Sequence, residues 1–249
     1  MEDRAIVDGG AAHGSVNQVR RDGDRVIRPA GPWTPAVHAL LRHLEAAGFA
    51  GVPRPITHDA TTETVSYLPG EAAKRPWPAV LRADDGLIAL GRWLAAYHHA
   101  VSDHVPAADA RWRAPDAVWQ PGMIVRHGDL GPWNTIWEHE RLVGVIDWDF
   151  AEPGYPIEDV AQLAWYAVPL RATGADGLDR VQRLRCLCAA YGIDAAEVVP
   201  AVAALQRHER ERTLRWGGAS LQPWAAFLAR GDADAIAADG AWLAAHHLR

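Results

Sequence analysis

The hydrophobic pattern changes period partway along the chain, and that change limits the folds open to it. Up to about residue 70 the apolar residues come in short runs cut by turn-forming dipeptides. After Asp84 they recur at the three- and four-residue spacing of helices, over long segments. Strands and helices are thus segregated along the sequence, which describes an α+β molecule with a small β-rich first part and a larger, mostly helical second part.

In the first part, 4–7 reads as a brief strand followed by a small, Gly-rich loop over 8–15. Segments 16–20 and 24–28 flank Asp22-Gly23, a strong hairpin signal. Thr34 before Pro35 reads as an N-cap with proline at the first helical position. Val37, Leu40, Leu41 and Leu44 share one face of a helix over 36–47, which Gly48 ends. Short strands over 55–59 and 64–67 lead into the turn Leu68-Pro69-Gly70. Helices are predicted over 84–101 and near 157–168, 176–191, 195–216 and 232–247, with a strand-and-loop segment over 124–150 between them. Two lobes result, 1–70 and 71–249, and a cleft between lobes is a common ligand site.

Composition removes several classes of function. Hydrophobic residues make up 49% and charged residues 22% of 249, ordinary globular values that exclude a disordered chain. No apolar run approaches the ~20 residues of a membrane span. The charged N-terminus lacks the apolar stretch of a signal peptide. Cys186 and Cys188 read as reduced thiols in a helix, so the expected setting is cytoplasmic, with no membrane. A net charge of −6 argues against a nucleic-acid partner and fits a cationic small substrate. Lys74 is the only lysine, which excludes any mechanism needing one elsewhere.

The chemistry concentrates in His127-Gly128-Asp129-Leu130-Gly131-Pro132-Trp133-Asn134, followed by Val145-Ile146-Asp147-Trp148-Asp149. Gly131-Pro132 forces a loop between Asp129 and Asn134. The runs 135–137 and 142–146 flank a turn at 138–141 and read as a hairpin that returns Asp147 toward that loop. A carboxylate, an amide and a second carboxylate therefore converge. Hard oxygen donors of this kind suit Mg²⁺ with phosphate and water. The remaining carboxylate is placed to take a proton from an attacking hydroxyl. No nucleophile elbow, Cys-x-x-Cys pair or H-E-x-x-H motif competes with this reading.

This segment resembles the catalytic and metal-binding loops of the aminoglycoside phosphotransferase family, small-molecule kinases of the protein-kinase-like fold. The Asp-to-Asn spacing matches a kinase catalytic loop, and Ile-Asp-Trp is typical of the small-molecule branch. The helix ending in Tyr97-His98 and the segment Tyr67-Leu68-Pro69-Gly70-Glu71 are similar to the family's pre-loop helix and hinge. The resemblance implies phosphorylation of a small-molecule hydroxyl, such as that of an amino sugar, with ATP or GTP as donor. Asp129 would be the catalytic base or hydroxyl orienter, in loop 127–134. Asn134 and Asp147 would hold Mg²⁺, the latter in loop 146–149. Gly10 would lie in the loop covering the phosphates, and the backbone of Ser66 and Leu68 would meet the adenine. Asp149 and Glu152 would meet a cationic acceptor. His127 would brace the catalytic loop, and Asp159 would anchor a loop or cap its helix.

Two departures stand out. The strand cation that touches the phosphates, lysine in many members, falls at Arg28. The partner glutamate expected on the first helix falls at Val37 or His38, so that ion pair is either absent or supplied by another acid. These departures support an alternative, a degenerate nucleotide-binding regulator without turnover.

Overall fold

The computed structural model describes residues 19–174 and 177–246. The expected strand over 4–7 and the loop containing Gly10 lie outside them. The first sheet holds β1 (Arg20–Asp22), β2 (Arg25–Pro29), β3 (Pro55–His58) and β4 (Thr62–Ser66), antiparallel in the order β1-β2-β4-β3. The β1–β2 turn runs through Gly23, whose positive φ of 61° suits a residue without a Cβ. Between β2 and β3 lies α1 (Thr34–Ala46). It buries Val37, Leu40, Leu41 and Leu44, the apolar stripe read from the sequence. Thr34 is not the cap. It sits inside the helix, and its Oγ1 accepts a hydrogen bond from Gly31 N–H at 2.9 Å.

After residues 67–70 the chain enters a second sheet. It comprises β5 (Glu71–Ala72), β7 (Thr135–Glu138) and β8 (Arg141–Val145), in the order β5-β7-β8. A two-stranded ladder pairs β6 (Ile124–Arg126) with β9 (Glu152–Gly154). The helices are α2 (Ala79–Arg82), α3 (Asp84–Ala100), α4 (Pro156–Ala167), α5 (Arg180–Tyr191), α6 (Ala195–Gly218), α7 (Trp224–Arg230) and α8 (Asp232–Ala245). One continuous core takes Val37, Leu40 and Leu44 from α1, Leu87 to Tyr97 from α3, Val160 to Trp165 from α4, and Leu184 and Val202 from α5 and α6.

A backbone hydrogen bond ties the first sheet's region to β8. Val145 N–H donates to Gly51 O at 2.9 Å. A Cβ added at Gly144 would lie 2.2 Å from that same oxygen, so the approach requires glycine there. Among the described residues, no single helix is long and apolar enough to cross a membrane.

Candidate active site

The loop carrying Asp129 leaves β6 and is held from beneath by α4. Asp159, fully buried, accepts hydrogen bonds from the backbone N–H of His127 (2.9 Å) and Gly128 (3.3 Å). Gln162, one turn further along α4, accepts from Leu130 N–H at 2.9 Å and donates to Gly128 O at 3.0 Å. Asp159 thus anchors the loop. Gln162 was not anticipated, although its spacing of three from Asp159 puts both on one helix face. Gly128 has φ 77°, and a Cβ there would stand 2.0 Å from Phe150 O, so neither the turn nor the approach admits another residue.

His127 joins the two loops. Its Nδ1 accepts from Asp129 N–H at 3.2 Å, which requires the other nitrogen to carry the proton. Nε2–H then donates to Ile146 O at 3.0 Å. Burial pushes its pKa down, in keeping with a neutral ring that braces rather than titrates. Its ring packs 4.5 Å from that of Trp148, which is buried against Tyr97. Trp148 is therefore core.

The β7–β8 hairpin does return Asp147 to the loop. Ile146 N–H donates to Asn134 O at 2.9 Å. Asp147 stands at φ 64°, a left-handed conformation that aspartate tolerates better than most residues and that aims its half-exposed carboxylate away from the hairpin. Asn134 turns its amide NH₂ to Asp129, donating to the backbone O (2.8 Å) and to Oδ2 (2.9 Å). Trp133 Nε1 donates to the same Oδ2 at 3.3 Å. Burial, with the Asp147 charge adding to it, pushes the Asp129 carboxyl up to about 7 against these donors.

Arg28 reaches into this group from β2. Its Nε lies 2.8 Å from Glu63 Oε1, its Nη1 3.0 Å from Asp147 Oδ1, and its Nη2 2.8 Å from Asp149 Oδ1. The partner acid is therefore not absent. Glu63 supplies it from β4, directly opposite Arg28 in the strand register. Sequence reasoning missed Glu63 because it sought an acid on the helix. The available signal was its alternation with Val65 on the buried face of β4.

Asp149 and Glu152 both lie against arginines. Asp149 is shared between Arg28 and Arg113, the latter at 2.7 Å. Glu152 is 3% exposed and is committed to Arg126 and Arg212. Both acids neutralise internal arginines. Ser66, the last residue of β4, is tied to Arg54: its N–H donates to Arg54 O and its Oγ accepts from Arg54 N–H, each at 2.8 Å. Among the described residues, the Leu68 peptide groups have no hydrogen-bond partner. A cleft of about 730 Å³ opens elsewhere, between α3 and the β7–β8 turn, and holds none of the expected site residues.

Residues 92–192 match the model of the phosphotransferase enzyme family, a span that contains both loops. The chain is 32% identical over 171 residues to the trifolitoxin immunity protein of Rhizobium leguminosarum bv. trifolii, covering 66% of this chain and 62% of that protein. It thus spans about three fifths of that relative's length. It is 40% identical over 60 residues to the viomycin phosphotransferase of Streptomyces vinaceus, 22% of this chain and 21% of that one. Among solved structures, the GDP and kanamycin complex of APH(2")-IIia superposes with a TM-score of 0.61 at 16% identity, covering 88% of each chain. Amicoumacin kinase hAmiN follows at 0.57 and 13%, covering 86% of each. At such identities these structures speak for the fold, which is protein-kinase-like, and the similarity to the phosphotransferase enzyme family covers residues 92–192.

Proposed function

We propose that this chain transfers the terminal phosphoryl group of a nucleoside triphosphate, ATP or GTP, to a hydroxyl of a small molecule. The observation that carries this reading is the convergence of Asp129, Asn134 and Asp147 at one point, through two loops that His127 and Asp159 lock together. Asp129 would orient the acceptor hydroxyl and take its proton. A carboxyl near 7 is matched to that task at neutral pH.

The residues present fit Mg²⁺. Asn134 spends its NH₂ on Asp129 and so keeps Oδ1 free, and Asp147 keeps Oδ2 beyond its contact with Arg28. These are two hard oxygens of the kind Mg²⁺ takes alongside phosphates and water. Bound there, Mg²⁺ would neutralise charge developing on the transferred group. Arg28 would offer its guanidinium fork to the phosphates. The adenine edge would meet the backbone at Ser66 and the unpartnered peptide groups of Leu68. Gly10 is proposed for the phosphate-covering loop on its position before the hairpin.

The names of the two relatives, one a toxin immunity protein and one an antibiotic phosphotransferase, support a hydroxyl-bearing antimicrobial as the acceptor class. With Asp149 and Glu152 engaged internally, acceptor contacts would fall to the aromatic wall beside Asp129. There the Trp133 and Tyr166 rings meet at 4.7 Å.

The test is titration with ATP and GTP, with and without Mg²⁺, by calorimetry, then a phosphorylation screen over hydroxyl-bearing antibiotics and amino sugars. Asp129→Ala should abolish turnover and leave Mg²⁺-dependent nucleotide binding largely intact. Unchanged turnover in that variant sinks the assignment. One observation favours a second reading, a nucleotide-binding regulator. Arg28 is engaged by three carboxylates rather than held open toward a phosphate. Tight nucleotide binding with no transfer to any acceptor would select it.

A further inference from the structure

The contacts of Arg28 continue one residue further, into α1. Glu63 presents Oε1 to Arg28 Nε and Oε2 to His38 Nε2, each at 2.8 Å. His38 is fully buried and Glu63 is 1% exposed. The chain α1–His38–Glu63–Arg28 therefore runs from the buried His38 and Glu63 out to the half-exposed Asp147 carboxylate. A buried carboxylate is costly unless its oxygens are satisfied, and here each oxygen has one partner. Because Arg28 and Glu63 are opposed in the β2–β4 register, their side chains leave the sheet on the same face. The helix supplies His38 to that face and no acid.

We infer that Glu63, fixed in turn by His38, is the positioning acid that sets where the Arg28 guanidinium points, a role that this chain has placed on a strand with a histidine buttress on α1. Arg28 has two other partners, Asp147 and Asp149, and their relation to it differs. Asp147 is half-exposed and lies at the proposed metal position, and Asp149 is shared with Arg113. A bound nucleotide can draw Nη1 and Nη2 away from both. Glu63 holds Nε, the atom that stays behind, so the fork pivots about a fixed stem instead of leaving the site. Neither Glu63 nor His38 touches the proposed reacting atoms. Both act through Arg28.

The inference rests on the proposed phosphotransfer for its functional consequence, but its structural half can be read without any nucleotide. With arginine labelled by ¹⁵N, the Arg28 Nε–H signal is assigned by its disappearance in Arg28→Lys. It should be sharp and slow to exchange in the native protein, and broadened or lost in Glu63→Gln. A signal unchanged by Glu63→Gln overturns the inference, whatever the protein binds. In the second arm, Glu63→Gln should weaken Mg²⁺-nucleotide binding by roughly tenfold, the scale of one charge-assisted contact. It should raise the nucleotide KM while leaving the acceptor KM unchanged. Glu63→Asp, which keeps the charge, should recover part of the loss, and His38→Gln should give a smaller loss in the same direction. If native protein binds nucleotide and Glu63→Gln binds it equally well, the positioning role falls. If native protein binds no nucleotide, the phosphotransfer reading falls and the Arg28 signal alone decides for or against Glu63. A Glu63→Gln variant that does not fold passes the test to Glu63→Asp and His38→Gln, whose parallel losses on nucleotide and not on acceptor are required.

Discussion

Asp159 shows how much one buried residue can carry. Burial alone would raise its carboxyl, yet the hydrogen bond from His98 and the Arg126 charge hold it below the usual carboxylate range. A depressed folded-state value means that its contribution is fully present above the unfolded value of about 4 and fades as pH falls through the lower folded one. His127 adds an earlier effect of the same sign. Its ring is kept neutral in the fold, so stability begins to fall once the unfolded ring would protonate, below about pH 6.5. Urea unfolding across pH 3 to 7 should show both declines. Asp159→Asn should cost about 2 kcal/mol at pH 7, the scale of losing a charged acceptor of backbone N–H groups. That cost should shrink toward zero at the acid end. Parallel curves for the two proteins would place the acid sensitivity elsewhere. At this scale the sequence was informative about Asp129, Asn134 and Asp147, whose order and spacing are local. It did not reveal the partners of Glu63 and Gln162, which are 35 and 32 residues away.

Elements were legible where the periodic stretch was long. The helices α1, α3, α4, α5, α6 and α8 follow the apolar spacing, and the β7–β8 hairpin follows its two alternating runs. Their ends follow capping chemistry instead. The helix expected from 176 begins at Arg180, because Asp179 caps it by accepting Gln182 N–H at 3.0 Å. In α6, Asp194 accepts Ala196 N–H at 2.9 Å. Asp194→Ala should lower stability by about 1 kcal/mol with no change in helix content of the native state, as measured by urea unfolding with circular dichroism. A loss under 0.3 kcal/mol, in the range of an ordinary surface change of about ±0.5 kcal/mol, would show that water caps this end as well. Among the elements not anticipated, α7 spans seven residues directly after a proline, too short for periodicity to separate from a turn.

At the largest scale, β6, β9, α4 and α6 are tied together by an ion network around the buried Arg126 and Glu152, far from any local pattern. Arg126, 1% exposed on β6, pairs with Glu152 on β9, with Glu158 at 3.1 Å and with Glu209 at 3.7 Å. Arg212 of α6 closes the group on both oxygens of Glu152, at 2.6 and 2.9 Å, and reaches Asp116 at 3.3 Å. Arg212, within the charge-rich run 207–215 of α6, thus turns inward. Removing one member leaves the other charges buried without their partner. Arg126→Met should therefore destabilise by about 3 kcal/mol or more, although it adds apolar volume to the core. A double-mutant cycle with Glu152→Gln would show strong coupling. Near-additive losses would mean that solvent reaches the group and screens it.

The sequence by itself determined the α+β class, the segregation of strands and helices, and the loop pair centred on Asp129 and Asp147. Each is written within a few residues, in period, turn chemistry or spacing. Only the tertiary structure decided which acid meets Arg28, that Asp149 and Glu152 serve arginines inside the protein, and that α4 clamps the Asp129 loop through Asp159 and Gln162. Those outcomes follow from the cost of burying a charge. A buried carboxylate takes whichever cation or N–H group the packing brings within about 3 Å, and the packing is settled by contacts that no local stretch of sequence contains.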